Sequence, residues 1–491
     1  MLGVILALLI VPLAAGLACA VLPEPSKVGP IATGTSGVAC FGLVLALVPA
    51  AAHRDLGYLT YLRVDALSAI FLLATGFLYA AVGIYSIGYV QHHGHGDRYK
   101  RRFYAGFNLF AWAMLAAPLM SSLALVWIAI EITTVISALL VAIEDTDGAA
   151  EAAWKYVLIA SAGLGLGLLA TVFAYFAGAQ VLGEHYNLAI APLIHAAPRL
   201  PAAPVRLAFL LALLGYGTKV GLVPVHTWLP DAHSEAPTPV SALLSGSLLA
   251  VSLYAILRYY QFTAAALGSG FPRDALLAFG VASLLLAALY LFGQRDVKRL
   301  LAYSSIEHMG IVTIGVSFGA PIALAGVMLH VLAHAAAKGN AFMGAGVFTV
   351  KYRTKQIAGM RGALDLLPWS GPLFLLAIFA LSAMPPSGIF RSEFQIVAGG
   401  LASGNDAAAA VLVVLVTVAF FGLTTASTRI LFTPAPRSLS AAAAVDRGEP
   451  SAWMVIPAVA GIAVLFILGL HPPGELTELI SRAVAQLGAA R

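Results

Sequence analysis

Glu131, Lys219, His334, Lys338 and Glu393 each lie inside or at the edge of an apolar stretch long enough to span a bilayer. A charge at bilayer depth costs from roughly 3 kcal/mol on insertion scales to 10 or more in simulations, so such residues need a partner, a wet cavity or a function. Acids, amines and imidazoles gathered in one membrane chain are the parts of a proton path.

Glu131 stands mid-stretch in Trp127-Ile-Ala-Ile-Glu131-Ile-Thr-Thr, and Lys219 lies five residues before Pro224. Burial disfavours the charged form of either group, and a nearby opposite charge favours it. A Glu–Lys pair that separates and re-forms would therefore take up a proton and push it onward. The competing reading is a static ion pair bracing two helices, although buried ion pairs are poor stabilisers. His330, His334 and Lys338 recur every fourth residue, which places them on one slowly drifting helical stripe. Imidazole titrates near neutral pH and passes protons through either nitrogen, so the stripe reads as a relay. Polar contact between helices is the alternative. Histidines at i and i+4 also suit a metal, but neither an HExxH motif nor a third ligand is evident, and no metal site is expected.

Glu393, in Ile389-Phe390-Arg391-Ser392-Glu393-Phe394, is a candidate terminal proton exchanger. Arg391 stands close enough in sequence to tune it or simply to pair with it. Lys155, in Glu151-Ala-Ala-Trp-Lys155-Tyr, either snorkels to the interface or reaches inward as a second basic site. Glu307 and His308 are relay or helix-contact candidates. His226, Asp231, His233 and Glu235 follow Pro224 as a proton-uptake cluster or a solvated loop. Asp65 reads mainly as a helix N-cap. Asp145, Asp147 and Glu151 read as an acidic loop, and His92, His93 and His95 as a polar loop without an assigned role.

The elements that must carry these residues are membrane helices. Of 491 residues, 60% are hydrophobic and 10% charged, against about 25% charged in a soluble domain. This defines an all-α polytopic membrane protein. The net charge of +5 sits largely in short loops, where it sets orientation, and nucleic acid is not an expected partner. Cys19 and Cys40 form no CxxC or Cys/His cluster, so no iron–sulfur or zinc site is expected from them. Ala18-Cys19-Ala20 resembles a cleavage site, but the segment lacks a positive n-region and reads as an uncleaved first helix.

A span needs roughly 20 apolar residues. That rule predicts about 14 transmembrane helices, near 2–22, 29–50, 64–90, 106–120, 122–143, 152–178, 206–228, 236–260, 274–293, 297–318, 322–350, 371–397, 408–432 and 453–470. Loops leaving odd-numbered spans hold 14 basic residues, among them Arg98, Arg295, Lys351 and Arg437. The opposite side holds eight, among them Arg63, Arg258, Arg273 and Arg491. The bias places both termini outside the cytoplasm.

Span seven is broken at Pro224 and span twelve at Pro385 and Pro386. Proline removes a backbone donor, and in lipid the freed carbonyls must face protein or water. Paired broken helices mark the sites of inverted-repeat transporters. Five spans separate the two breaks, which predicts two inverted five-helix repeats, over 106–260 and 261–435, flanked by helices 1–3 (1–105) and by helix 14 with its tail (436–491). A simple kink is the alternative.

The string Lys219-Val-Gly-Leu-Val-Pro224-Val-His226-Thr-Trp-Leu-Pro-Asp231-Ala-His233-Ser-Glu-Ala-Pro-Thr-Pro-Val-Ser-Ala resembles the signature of the antiporter-like subunits of respiratory complex I, Mrp cation/proton antiporters and group-4 membrane-bound hydrogenases. The resemblance extends over spans three to thirteen. It implies 14 helices, two inverted five-helix repeats and broken helices seven and twelve. It also implies a proton pathway through Glu131, Lys219, the His330, His334 and Lys338 set, and Glu393. Leu62-Arg-Val-Asp65-Ala-Leu-Ser-Ala and Tyr303-Ser-Ser-Ile-Glu307-His308, with the strings around Glu131 and Lys155, are most similar to the formate hydrogenlyase and hydrogenase-4 type. Where complex I subunits carry Lys or His in span eight, this chain has Ala250. A direct bridge between the half-channels is therefore not expected, and Ser245, Ser247, Ser252 and Tyr254 would support only a water wire.

The expected function is a proton-translocating subunit of a redox-driven complex. This chain would carry no cofactor, while partner subunits carry iron–sulfur clusters and a nickel–iron site. Its partners would be other membrane subunits, a peripheral redox arm, lipids, and protons or Na⁺. Its location would be a bacterial or archaeal cytoplasmic membrane. The competing classes are a cation/proton antiporter or proton-driven inorganic-carbon transporter component, and a membrane scaffold with an inactive channel.

Overall fold

The computed structural model describes residues 1–92, 94, 96–434 and 446–488; His93, His95, Arg437 and Arg491 lie outside the described residues. The helices are α1 (Leu2–Val21), α2 (Pro25–His53), α3 (Ala66–His92), α4 (Asp97–Ala116), α5 (Leu123–Val141), α6 (Asp147–Leu182), α7 (Ile190–Ala196), α8 (Ala202–Val220), α9 (Trp228–Glu235) and α10 (Thr238–Leu243). They continue as α11 (Leu249–Leu267), α12 (Gly270–Tyr290), α13 (Val297–Phe318), α14 (Pro321–Tyr352), α15 (Ala363–Leu366), α16 (Ser370–Leu381), α17 (Gly388–Ala402), α18 (Asp406–Phe432), α19 (Ala452–Leu470) and α20 (Gly474–Gly488).

Among the described residues, eleven helical segments are long and apolar enough to cross a membrane, and the chain is a multi-pass membrane protein. The other three expected spans correspond to α4, α13 and the broken α16–α17. The first two carry charges in their opening turns, and the last is split into halves of 12 and 15 residues. Polar side chains close the exposed amides that begin some of the helices. Ser122 caps α5, Thr146 caps α6, Asp296 caps α13 and Ser387 caps α17.

The α3, α10–α11 and α14 segments are buried along most of their length, whereas α1, α12 and α18 turn most of their surface outward. Exposed Leu139, Leu158, Phe176, Leu289 and Phe421 lie on the outer faces, as expected where lipid is the solvent. Neighbouring helices approach closely through small residues. A Cβ on Gly215 of α8 would stand 2.5 Å from Gly167 N of α6, so only glycine fits there.

Several sequence expectations are corrected. α4 begins at Asp97, so Arg98, Lys100, Arg101 and Arg102 form its first turns rather than a loop. Likewise α6 begins at Asp147 and takes in Glu151. Charged first turns lower the local hydropathy, so a hydropathy ruler starts such a helix too late. The all-α reading misses a small antiparallel hairpin, β1 (Leu56–Tyr58) and β2 (Leu62–Val64), with Leu56 opposite Val64. Arg258, counted with the loop charges, is 2% exposed inside α11. It donates to Asp65 Oδ1 at 2.6 Å and to Ser68 Oγ at 3.0 Å. Asp65 also accepts from Ser68 N at 2.9 Å, in keeping with an N-cap. The tail beyond span fourteen contains α20, whose Arg482 pairs with Asp55 at 2.8 Å.

Candidate functional site: two buried polar clusters

Both breaks occur where expected. α8 ends at Gly221, whose φ of 82° is a left-handed conformation that suits glycine. The indole of Trp228, which opens α9, donates to the freed Thr218 carbonyl at 2.7 Å. The other break separates α16 from α17 around Pro385 and Pro386.

The first cluster forms where α5, α6 and α8 meet. Lys219 is fully buried. Its Nζ donates to Thr134 Oγ1 at 3.1 Å and to Tyr156 OH at 2.5 Å. It also stands 4.8 Å from the centre of the Tyr156 ring. Tyr156 OH continues to Ser137 Oγ at 2.8 Å. Glu131 is half-buried, and its Oε1 accepts from Ser161 Oγ at 3.4 Å. Its charge acts on Lys219, yet among the described residues the two form no direct ion pair: Lys219 engages hydroxyls instead. Thr134, Ser137 and Tyr156 were not singled out in the sequence. The available signal was position, since Thr134 follows Glu131 by three residues, about 60° around the helix, and Ser137 lies one turn beyond Thr133.

Lys155 does not reach this cluster. Its side chain is 39% exposed and pairs with Glu151 at 2.5 Å and with Asp231 at 3.7 Å. Residues adjacent on a helix point about 100° apart, so Tyr156 faces inward while Lys155 faces out. Asp231 also pairs with Arg299, and a cavity of about 220 Å³ opens beside Lys155, Asp231 and Glu235. A larger cavity of about 620 Å³ adjoins it, lined by Glu235, Thr238, Lys298 and Lys355 among others. Lys355 pairs with Glu235 at 2.5 Å.

The uptake cluster proposed around Pro224 therefore divides. Asp231 and Glu235 belong to this rim. His226 is buried, close to the Pro224 backbone. His233 is fully buried, stacked on Phe342 with ring centres 5.2 Å apart, and among the described residues neither of its ring nitrogens has a hydrogen-bond partner. The charges of both Lys298 and Lys338 act on it.

The second cluster joins α13, α14 and α17. Lys338 is fully buried and donates to the Leu301 carbonyl at 3.0 Å. Glu307 is the carboxylate whose charge acts on it, and the Ser304 hydroxyl lies beside Glu307. His308 Nδ1 and His330 Nε2 stand 3.1 Å apart. Glu393 Oε1 lies 3.7 Å from His308 Nδ1. The His334 ring centre is 5.3 Å from that of His308, and both of its nitrogens are unpartnered. The third ligand type that the sequence did not reveal for a metal is present here: His308, His330 and Glu393 converge with their ligand atoms within 4.8 Å of one another. Arg391 does not face Glu393. Residues two apart on a helix point to different sides, and Arg391 donates to the Gly469 carbonyl at 3.3 Å instead.

Near Ala250 the helix contains a π-helical turn, Leu244–Leu248. Ser245 meets Ser305 of α13 at 2.7 Å and Ser247 meets Thr75 of α3 at 2.7 Å. Ser252 turns back to the Leu248 carbonyl at 2.9 Å, and Tyr254 OH meets Ser68 at 3.1 Å. The four hydroxyls thus face different partners.

Residues 120–421 match the family described as "NADH:quinone oxidoreductase/Mrp antiporter, TM". The chain is 37% identical over 366 residues to a hydrogenase-4 component F homolog of Methylacidiphilum infernorum, covering 73% of this chain and 76% of that one. It is 30% identical over 346 residues to hydrogenase-4 component B of Escherichia coli, covering 68% of this chain but only 50% of that protein. The fold is that of a chain of respiratory complex I from Thermus thermophilus, with a TM-score of 0.81 at 22% identity, covering 99% of this chain and 100% of that one.

Proposed function

This chain belongs to the NADH:quinone oxidoreductase/Mrp antiporter transmembrane family, and from that premise we propose that Lys219 and Lys338 are the two proton-storing centres of a redox-driven pump of hydrogenase or formate hydrogenlyase type. The observation that carries the proposal is the pair of fully buried lysines. Each has a carboxylate within electrostatic reach, Glu131 for Lys219 and Glu307 for Lys338. Neither pair is in direct contact among the described residues. A modest movement of either carboxylate toward its lysine therefore changes which of the two holds the proton, the load-and-release step that a pump requires.

Protons enter the second half from the rim at Lys298 and pass by His233 to Lys338. From there Glu307, His308, His330, His334 and Glu393 carry them on. Lys155, Asp231 and Arg299 act at the rim, where their charges bias uptake, rather than on the buried path. The chain crosses the membrane 14 times, with inverted repeats over 106–260 and 261–435 and both termini outside. It sits in a bacterial or archaeal cytoplasmic membrane. Partner subunits hold the iron–sulfur clusters and the nickel–iron site, and their redox chemistry drives the carboxylate movements. The names of the hydrogenase-4 relatives support this reading over a free-standing cation/proton antiporter.

The test is purification of the tagged protein in mild detergent, with mass spectrometry of its companions. Co-purifying iron–sulfur and nickel–iron hydrogenase-like subunits are expected. Companions consisting only of antiporter-like or carbonic-anhydrase-like proteins would overturn the redox-driven assignment.

A further inference from the structure

We infer that His308, His330 and Glu393 form a binding site for a zinc-class divalent cation, and that filling it closes the second half of the proton path. Two imidazoles and one carboxylate are a known zinc ligand set, with a fourth position left for water. At metal–nitrogen distances of about 2.0–2.1 Å, neighbouring ligand atoms in a tetrahedron stand roughly 3.3–3.4 Å apart. Two of the three separations, 3.1 Å between His308 Nδ1 and His330 Nε2 and 3.7 Å between His308 Nδ1 and Glu393 Oε1, bracket that value, and all three ligand atoms lie within 4.8 Å of one another. All three ligands are buried, and Glu393 Oε1 has no hydrogen-bond partner.

The surrounding hydrogen bonds fix the tautomers. Ser392 Oγ donates its hydrogen to the Ile389 carbonyl at 2.7 Å. It must then accept from His330 Nδ1, which stands 2.9 Å away. His330 therefore carries its proton on Nδ1 and presents the Nε2 lone pair inward. A hydrogen bond of this kind to the far ring nitrogen orients metal-bound histidines. His308 Nδ1 stands opposite that lone pair at 3.1 Å, and the Leu381 backbone carbonyl lies within hydrogen-bonding influence of the His308 ring. With its proton on Nε2, toward the Leu381 carbonyl, His308 offers Nδ1 as a neutral ligand like His330, and Glu393 supplies the single negative charge, any proton it holds being released to water as the metal binds. The three ligands come from α13, α14 and α17, and one ion would tie these helices together and hold their lone pairs.

The existence of the site rests on this geometry alone; its effect on transport rests on the proton-path reading above. Exposed His53, Glu475 and Glu478 form a second group able to take a metal, so every protein in the test carries His53→Ala. The full-length chain in its complex is equilibrated with Zn²⁺, and bound zinc is measured by elemental analysis. Co²⁺ absorption then reports the ligand geometry. The expected result is one tightly held zinc per chain, lost or weakened at least roughly tenfold by Glu393→Gln and by His308→Gln. His334→Gln, which changes an imidazole on the same stripe outside the set, retains it. Mg²⁺ is expected not to compete, because imidazole is a poor ligand for it. Equal zinc binding by the parent and both ligand variants would overturn the site. In vesicles, Zn²⁺ is expected to stop proton transport by the parent over the same concentration range in which it binds. Stoichiometric zinc at the triad with undiminished transport would overturn the block, whereas absence of transport before zinc is added would instead overturn the pump reading.

Discussion

The two buried clusters centre on the same side chain but surround it differently. Lys219 is held by hydroxyls, Thr134 and Tyr156, with Ser137 behind them. Lys338 donates to a backbone carbonyl and shares its neighbourhood with Glu307 and with the imidazoles of His308, His330 and His334. Hydroxyls can hold a proton-bearing amine, but near neutral pH they do not store a proton themselves. Imidazoles can. On the proposed reading, the first cluster would be a single loading point with a carboxylate beside it, and the second a series of several titratable groups. That contrast accounts for the metal-like convergence in only one of them, since hydroxyls do not make a zinc set.

The contrast can be broken by removing what each cluster depends on. Of the changes that set one cluster against the other, the largest effect is expected for Lys338→Ala, which removes the buried amine of the second cluster. Proton transport by reconstituted vesicles should fall at least about a hundredfold, the scale of a lost proton-transfer group, while the complex still assembles. Tyr156→Phe should have a smaller effect. Hydrogen bonds to charged groups are worth about 1.5–3 kcal/mol, so losing the shortest contact to Lys219 should slow transport about tenfold, with Thr134 still in place. A Tyr156→Phe protein with unchanged transport would mean that the hydroxyl cage is only packing. The smallest effect belongs to Lys155→Ala. Its exposed pairs with Glu151 and Asp231 are of the kind that contributes little, and transport should stay within about twofold of the parent. A loss as large as that of Lys338→Ala would move Lys155 back onto the central path.

Much of this arrangement was legible because lipid makes charge conspicuous. Glu131, Lys219, His330, His334, Lys338 and Glu393 stand out against an apolar background, and Pro224 and Pro385 announce the breaks. Residues without charge were harder to see. Thr134, Ser137, Tyr156 and Ser392 are ordinary in composition, and only the helical faces on which they meet reveal their contacts. The Asp65–Arg258 pair was hidden for another reason: 193 positions separate its partners, and Arg258 looked like a loop charge. The metal-like triad escaped because its members come from three helices, while the sequence offered only the His330–His334 repeat. Arg391 misled in the opposite way, being near Glu393 in sequence but on another side of α17.

The central claim is that Lys219 and Glu131 form a working proton-loading pair. The direct measurement is redox-driven proton uptake, followed with a pH-sensitive dye, in vesicles containing the complex with Lys219→Ala or Glu131→Ala. Blue-native electrophoresis would check that each variant assembles. The account predicts assembled complexes that no longer pump; normal pumping in both variants would contradict it.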